Sequence, residues 1–273
     1  MTIRLVATDV DGTLLHSDGT ASYRTRAALR AASDAGLLVA FVSGRPPRWL
    51  DDLVDETGHV GMSVGANGAV LYDMAAERIV SSHVIAGELM RELGSELRAE
   101  FPGVHFALEY GANFAAEPGY VHDWEVSPAR DRRGRPIPPP VIGPLAEISA
   151  RPAVKLLAKD AEADADQFLA AAVDLVGTRA TITHSSSFGL LEISAPGVTK
   201  ASGLAELAEQ HGINATEVLA VGDMPNDVPM LRWAGHSYAV GNAHPAARAA
   251  AQRVVGRNDD DAVAALIEEL LAG

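Results

Sequence analysis

Residues 3–13 read IRLVATDVDGT, and this stretch decides the fold. Its first half, from Ile3 to Ala7, is a short aliphatic run rich in β-branched residues, the pattern of a buried strand. The run stops on two carboxylates, Asp9 and Asp11, followed at once by Gly12 and Thr13. Open α/β sheets bind ligands at the carboxyl ends of their strands, so this strand carries charge to the edge where such sheets do chemistry. Side chains two apart on a strand point the same way, which sends both carboxylates toward one site. Paired carboxylates beside a glycine that lets backbone N–H groups approach an anion suit magnesium-assisted phosphoryl chemistry. An ordinary Asp-Gly turn would explain the same residues, and the rest of the chain has to separate the two readings.

The next segments extend the pattern. Ser22 to Ala35 carries helix formers with apolar positions at Ala27, Ala28, Leu29 and Ala32, and Gly36 stops it. A second apolar strand runs from Gly36 to Ser43, so the opening is a βαβ unit with a parallel sheet. It too ends in functional chemistry: Ser43-Gly44-Arg45, then Pro46-Pro47 before a helix around Trp49 to Thr57. A hydroxyl and backbone amides at a strand end can hold a phosphoryl oxygen. Residues 62–72, MSVGANGAVLY, predict two short strands joined at Asn67-Gly68, a strong turn signal that also explains Asn67 without a ligand.

Length and composition bound the rest. A chain of 273 residues exceeds the usual single domain, and a hydrophobic fraction of 48% supports a large core or two. Against 22 basic residues stand 36 acidic ones, a formal net charge of -14 that argues against nucleic acid or an anionic membrane as partner. No apolar run approaches the ~18 residues of a membrane span. The sequence has no cysteine, which removes disulfides, thiolate zinc sites and cysteine nucleophiles. Its nine histidines lack ligand spacing such as HExxH. The N-terminus has no basic-then-apolar leader pattern, so a soluble cytoplasmic protein is the expectation.

The middle of the chain changes character. A helix is predicted over Ala86 to Phe101, an alternating strand over Val104 to Tyr110, and a partner over Asn113 to Glu117. Residues 127–144 are proline-rich and carry Arg130, Arg132, Arg133 and Arg135, a cluster that reads as solvated loop. A strand over Ala153 to Ala158, a helix over Ala163 to Val176 and a strand over Arg179 to His184 follow. Elements pairing among themselves for about a hundred residues predict a small α+β insert. The first pattern then resumes with a strand at Leu190 to Ile193, Gly197-Val-Thr-Lys200 before a helix, and a buried strand over Glu217 to Val221. That strand stops on Gly222-Asp223, with Asn226-Asp227 just beyond. A short strand over Ser237 to Val240 ends on Gly241-Asn242, and helices near Pro245 to Ala251 and Asp261 to Leu271 complete a doubly wound arrangement.

These pieces, in this order, resemble the haloacid-dehalogenase-like superfamily, in its Cof-type sugar-phosphatase branch with a type IIB cap. DVDGTL at 9–14, SGR at 43–45, GVTK at 197–200 and GDMPND at 222–227 match its four motifs, and AVGNAHPAARAAA at 239–251 adds a fifth stretch. One departure stands out: the branch often carries Gly before the last helix, where this chain has Asp261, in a loop expected to lie far from the motifs. The resemblance implies an α/β fold with a doubly wound, Rossmann-like parallel-sheet core, 1–81 and 189–273, and an inserted α+β cap, 82–188. It implies a Mg²⁺-dependent phosphatase of small phosphorylated metabolites, sugar phosphates favoured, acting as a monomer or weak homodimer.

Residue roles follow from the same resemblance. Asp9 would be the nucleophile that forms an aspartyl-phosphate, and Asp11 the general acid and base. Gly12, Ser43 and Lys200 would hold phosphoryl oxygens, with Gly44, Arg45 and Asn67 as further substrate contacts. Mg²⁺ would take Asp9, the main-chain carbonyl of Asp11 and Asp223. Asn226 and Asp227 would support them, Asp227 orienting Lys200 or a metal-bound water. His122, Trp124, Arg130 and Lys155 are candidate selectors of the leaving group. A phosphomutase and a non-catalytic phosphosugar-binding protein are the competing functions; a dinucleotide enzyme is disfavoured because no GxGxxG follows the first strand.

Overall fold

The structure is a computed structural model that describes residues 2–273 apart from 112, 121–135, 137 and 185–187. The predicted selectors His122, Trp124 and Arg130, and the arginine cluster at Arg130, Arg132, Arg133 and Arg135, lie outside the described residues. No helix among the described residues is long and apolar enough to cross a membrane.

The opening stretch forms β1 (Leu5–Thr8), buried along its whole length. Ser22 caps α1 (Tyr23–Asp34) by accepting the Thr25 N–H, after which come β2 (Leu38–Val42) and α2 (Pro47–Thr57), which opens on a proline at its first turn. Then follow β3 (Met62–Gly65), β4 (Val70–Asp73) and β5 (Arg78–Ser82). The middle of the chain supplies α3 (Gly87–Glu100), β6 (His105–Tyr110), β7 (Asn113–Ala116), β8 (Val141–Ile142), α4 (Leu145–Ile148), β9 (Lys155–Asp164), α5 (Ala165–Val176), β10 (Thr181–Thr183) and β11 (Phe188–Ser194). The last third adds α6 (Lys200–Gln210), β12 (Val218–Gly222), α7 (Val228–Trp233), β13 (His236–Ala239), α8 (Pro245–Ala250), β14 (Arg253–Val254) and α9 (Ala262–Ala272).

Among the described residues these strands make two sheets. The first has the order β14-β13-β12-β1-β2-β3-β4-β5, parallel from β14 to β3 and antiparallel beyond. β1 is central, with Leu5 opposite both Leu38 and Val218, and the strand reads as continuous apolar sequence because helices cover both faces. The order reverses direction at β1, so the carboxyl ends of β1, β2 and β12 meet at one crevice.

The second sheet has the order β10-β11-β9-β6-β7-β8, largely antiparallel, and its two faces differ. One carries Phe106, Leu108, Leu156, Ala158, Leu191 and Ile193, packed under α3 and α5. The other carries Ala107, Glu109, Lys155, Leu157, Leu190 and Glu192 and is turned toward the first sheet. The sequence assigns the strand at Leu190–Ile193 to the first unit. It belongs to β11 instead, antiparallel to β9 and β10, because Leu191 and Ile193 fill the second apolar core. A boundary at 188/189 therefore cuts a strand.

The Asn67-Gly68 turn joins two antiparallel strands as predicted, through a three-residue helical turn in which Asn67 takes φ 56°. A side chain on Gly68 would strike the Thr199 carbonyl, so this glycine lets the turn rest on the start of α6. The loop before α9 is not remote from the motifs. Asp261 sits at φ 57°, the left-handed conformation that glycine accepts most readily, and its carboxylate bonds to His16 Nε2 at 2.8 Å and Thr25 Oγ1 at 3.3 Å. Asn258 Nδ2 reaches the Leu15 carbonyl at 2.9 Å, tying the same loop to the turn after β1.

Candidate active site

Three strand ends and one helix start build the site. Asp9 follows β1, Ser43 to Arg45 follow β2, and Asp223 to Asp227 follow β12. Lys200 is the first residue of α6, fixed there by a capping box in which Thr199 and Ser202 exchange hydrogen bonds. A cation at a helix N-terminus opposes the helix dipole, and two carboxylates offset that. Lys200 Nζ donates to Asp9 Oδ1 at 2.6 Å and Asp227 Oδ1 at 2.5 Å, all three groups being buried.

Asp227 is fully engaged: its Oδ2 also accepts the backbone N–H groups of Asp223 and Met224, each at 2.9 Å. It thereby shapes the loop that presents Asp223. Thr13 Oγ1 donates to Asp223 Oδ1 at 3.0 Å, locking the two strand-end loops together. Gly12, at φ 77°, passes so close that a Cβ there would lie 2.6 Å from Asp223 Oδ2, which explains the glycine between the two acids and Thr13.

The electrostatics are lopsided. Oxygens of Asp9, Asp223 and Asp227 lie within 4.8 Å of one another, and Lys200 is the one cation bonded to this trio among the described residues. Burial raises the Asp9 carboxyl well above its ordinary range; Lys200 pulls it back, while Asp227 and Asp223 push it further up. Asp223 rises to about 7 through burial and the Asp227 charge, against the opposing pull of Lys200. Burial acts to lower Lys200, but Asp227 and Asp9 outweigh it and the net shift is upward. Two uncompensated negative charges held on oxygen donors are what a hard divalent cation neutralises, so the residues fit Mg²⁺ by number, charge and donor type.

Asp11 stands apart from this trio. Its half-exposed carboxylate is gripped from both sides by Arg45, Nε to Oδ2 at 2.8 Å and Nη2 to Oδ1 at 2.5 Å. Ser43 is buried, with Oγ accepting the Arg45 N–H at 3.1 Å. Asn67 is more than a turn residue: Nδ2 donates to Glu192 Oε2 at 2.9 Å, and Oδ1 accepts Asn226 Nδ2 at 3.0 Å. Lys155, predicted as a selector, reaches the Gly44 carbonyl and Glu192 Oε2, both at 2.6 Å.

A cavity of about 650 Å³ opens above the three strand ends, with Asp9, Asp11 and Asp223 on its floor and Glu109, Lys155 and Glu192 opposite. Trp49 forms part of its wall. The structure thus brings together Asp9, Gly12, Ser43, Gly44, Arg45, Asn67, Lys200, Asp223, Asn226 and Asp227, with Asp11 beside them. Sequence reasoning missed Glu109, Glu192 and Asn242. Asn242 Nδ2 donates to the Gly12 carbonyl at 2.7 Å and its Oδ1 accepts the Asn258 N–H at 3.0 Å, pinning the turn after β1. Its one sequence signal is a polar residue just past a strand end.

An open α/β sheet with an acidic cluster at its switch point, faced by an inserted sheet across a cavity, defines a class of enzyme that works at strand ends. Within that class, the sequence profile of the haloacid dehalogenase-like hydrolases matches residues 6–267, and the chain belongs to that family. It is 26% identical over 288 residues to a 5-amino-6-(5-phospho-D-ribitylamino)uracil phosphatase of Bacillus subtilis, covering 99% of each chain. A protein of Streptococcus mutans UA159 superimposes with a TM-score of 0.84 at 24% identity, over 100% of both chains. A subclass IIB sugar phosphatase superimposes with a TM-score of 0.79 at 21% identity, over 97% of this chain and 98% of that one.

Proposed function

We propose that this protein is a Mg²⁺-dependent phosphatase of small phosphorylated metabolites, sugar or polyol phosphates foremost, that works through an aspartyl-phosphate. The observation that carries the reading is Asp9: a carboxylate at the end of the central strand, held by Lys200 and opening into the cavity. The Bacillus subtilis relative, a phosphatase of a phosphorylated ribityl compound, supports the substrate class. In this reading the second sheet with α3, α4 and α5 is the cap, and the chain returns to the core after Ser194.

Asp9 attacks phosphorus and the bond to the leaving-group oxygen breaks, giving the acyl phosphate. Asp11, positioned by the Arg45 fork, gives that oxygen its proton and later takes one from the water that hydrolyses the intermediate. Ser43, Lys200 and the backbone around Gly12 and Gly44 hold the phosphoryl oxygens. Asp9, the Asp11 carbonyl and Asp223 would hold Mg²⁺, which would supply compensation for the charge that gathers on phosphorus. Asp227, Asn226 and Asn67 keep Lys200 and the Asp223 loop in place.

Rapid acid quench followed by intact-protein mass spectrometry tests these roles. The wild type and Asp11→Asn are expected to trap a phosphoryl adduct with p-nitrophenyl phosphate, a substrate whose leaving group scarcely needs protonation. Asp9→Asn is expected to trap none, and Asp11→Asn to turn over on the order of 10²–10⁴-fold more slowly on an alkyl phosphate. An adduct on Asp9→Asn, or full-rate turnover by Asp11→Asn, overturns the assignment.

A further inference from the structure

The face of the second sheet that looks into the cavity carries four charges in two pairs. Arg48 Nη2, from α2, donates to Glu109 Oε1 at 3.1 Å, and Lys155 Nζ donates to Glu192 Oε2 at 2.6 Å; all four side chains are at most 6% exposed. Lys155 is fully committed, since its ammonium also donates to the Gly44 carbonyl and lies 3.6 Å from Glu109 Oε2. Arg48 turns its guanidinium over the Trp49 and Phe114 rings, at 4.7 and 5.3 Å, rather than into the cavity. Arg45, on the cavity floor, is bound to Asp11.

One carboxylate oxygen is less settled. Glu109 Oε2 is buried and accepts no hydrogen bond among the described residues, although Glu109 lines the cavity. Among the described residues the cavity is lined by six carboxylates and two cations, Arg45 and Lys155, both spent on carboxylates. Trp49, Pro46, Leu157, Leu190 and Met224 add an apolar wall. A buried acceptor without a donor costs free energy until something supplies one, whereas a further anion here would meet a lining of six carboxylates against two cations at short range in a partly dry site.

We propose that Glu109, with Glu192 beside it, is the leaving-group subsite, and that it selects neutral or cationic groups rich in hydroxyl or amine donors while rejecting those with a second anion. The substrate class is then polyol, sugar or amino-alcohol monophosphates, and not phosphorylated carboxylic acids or bisphosphates. This inference rests on the phosphatase reading above and narrows it.

D-glucitol 6-phosphate and 6-phosphogluconate test it, because they differ only in a hydroxymethyl against a carboxylate at the far end. Each is measured as a competitive inhibitor of p-nitrophenyl phosphate hydrolysis, so neither has to be a good substrate. The polyol phosphate is expected to inhibit at a concentration at least about tenfold lower than the acid, given the short-range charge repulsion. In Glu109→Gln, which keeps the size and removes the charge, that ratio is expected to shrink by at least about threefold. Equal inhibition in the wild type, or an unchanged ratio in a folded Glu109→Gln, overturns the proposal. If Glu109→Gln does not fold, the wild-type ratio decides alone. No hydrolysis of p-nitrophenyl phosphate by wild type with Mg²⁺ overturns the phosphatase reading itself, and the subsite with it.

Discussion

The two buried charge clusters of this molecule are solved in opposite ways. At the strand ends of the first sheet, three carboxylates share one lysine, and burial with mutual repulsion lifts Asp9 and drives Asp223 to about 7. On the second sheet, Glu109 and Glu192 face Arg48 and Lys155, two against two, and the attraction of Glu192 and Glu109 for Lys155 overcomes burial and raises its pKa. One cluster is left short of positive charge by the chain; the other is closed by it. The lesson is that imbalance leaves a place for an ion of opposite charge, while balance leaves a cavity wall that can take a neutral donor at Glu109 Oε2, which accepts no hydrogen bond among the described residues.

The largest effect should come from unbalancing the wall. Lys155→Met leaves two buried carboxylates with only Arg48, and loss of about 3–5 kcal/mol of stability is expected by urea denaturation. Combining it with Glu192→Gln should restore a good part of that loss, because the uncompensated charge is gone. Mg²⁺ should not rescue the single variant, and rescue would erase the distinction between the clusters.

A somewhat smaller effect concerns pH at the other cluster. Asp223, like Asp9, has a folded pKa above its unfolded value, so over the window from about 4 to about 7 the folded state binds more protons than the unfolded one. Metal-free protein should therefore lose stability as pH rises through that window, by on the order of 4 kcal/mol at most from Asp223. Exposed acids shifted the other way, such as Asp18 and Asp259, act below it. The melting temperature in EDTA should fall from pH 5 to pH 8, and the increase brought by Mg²⁺ should be larger at pH 8. A Mg²⁺ effect that does not grow with pH would show that the ion is not relieving this repulsion.

The smallest effect lies outside both clusters. At Asp261→Gly, relief of a left-handed backbone opposes the loss of bonds to His16 and Thr25. These terms are each about 1 kcal/mol, and a net change within ~1 kcal/mol is expected in thermal unfolding. Activity should hold unless the turn after β1 shifts with the loop.

The sequence was most legible where local pattern and position coincide. Asp9, Ser43, Asp223 and Lys200 each follow an apolar strand or open a helix, so their neighbours announce them. Glu109 and Glu192 carry no such signal: an acid in an alternating strand reads as a solvent-facing position, and only the packing of one sheet over the other buries it. The same alternation misplaces Leu190–Ile193, since a short apolar strand does not state which sheet it joins. Asn242 acts through a bond to a carbonyl 230 positions away, a relation that local pattern does not encode. Asp261 was visible as a departure, yet its left-handed backbone and its contact with His16 are tertiary facts.

The position of β1 has one more consequence, during synthesis. Its neighbours are β2, made at once, and β12, which begins at Val218. At roughly 5–20 residues per second, about 10–40 s pass between the emergence of the two strands. Through that interval one edge of the central strand has no native partner, and Asp9 lacks both Lys200 and Asp223. The nascent chain therefore carries Asp9 well before it carries the lysine that bonds it and the acidic loop beside it.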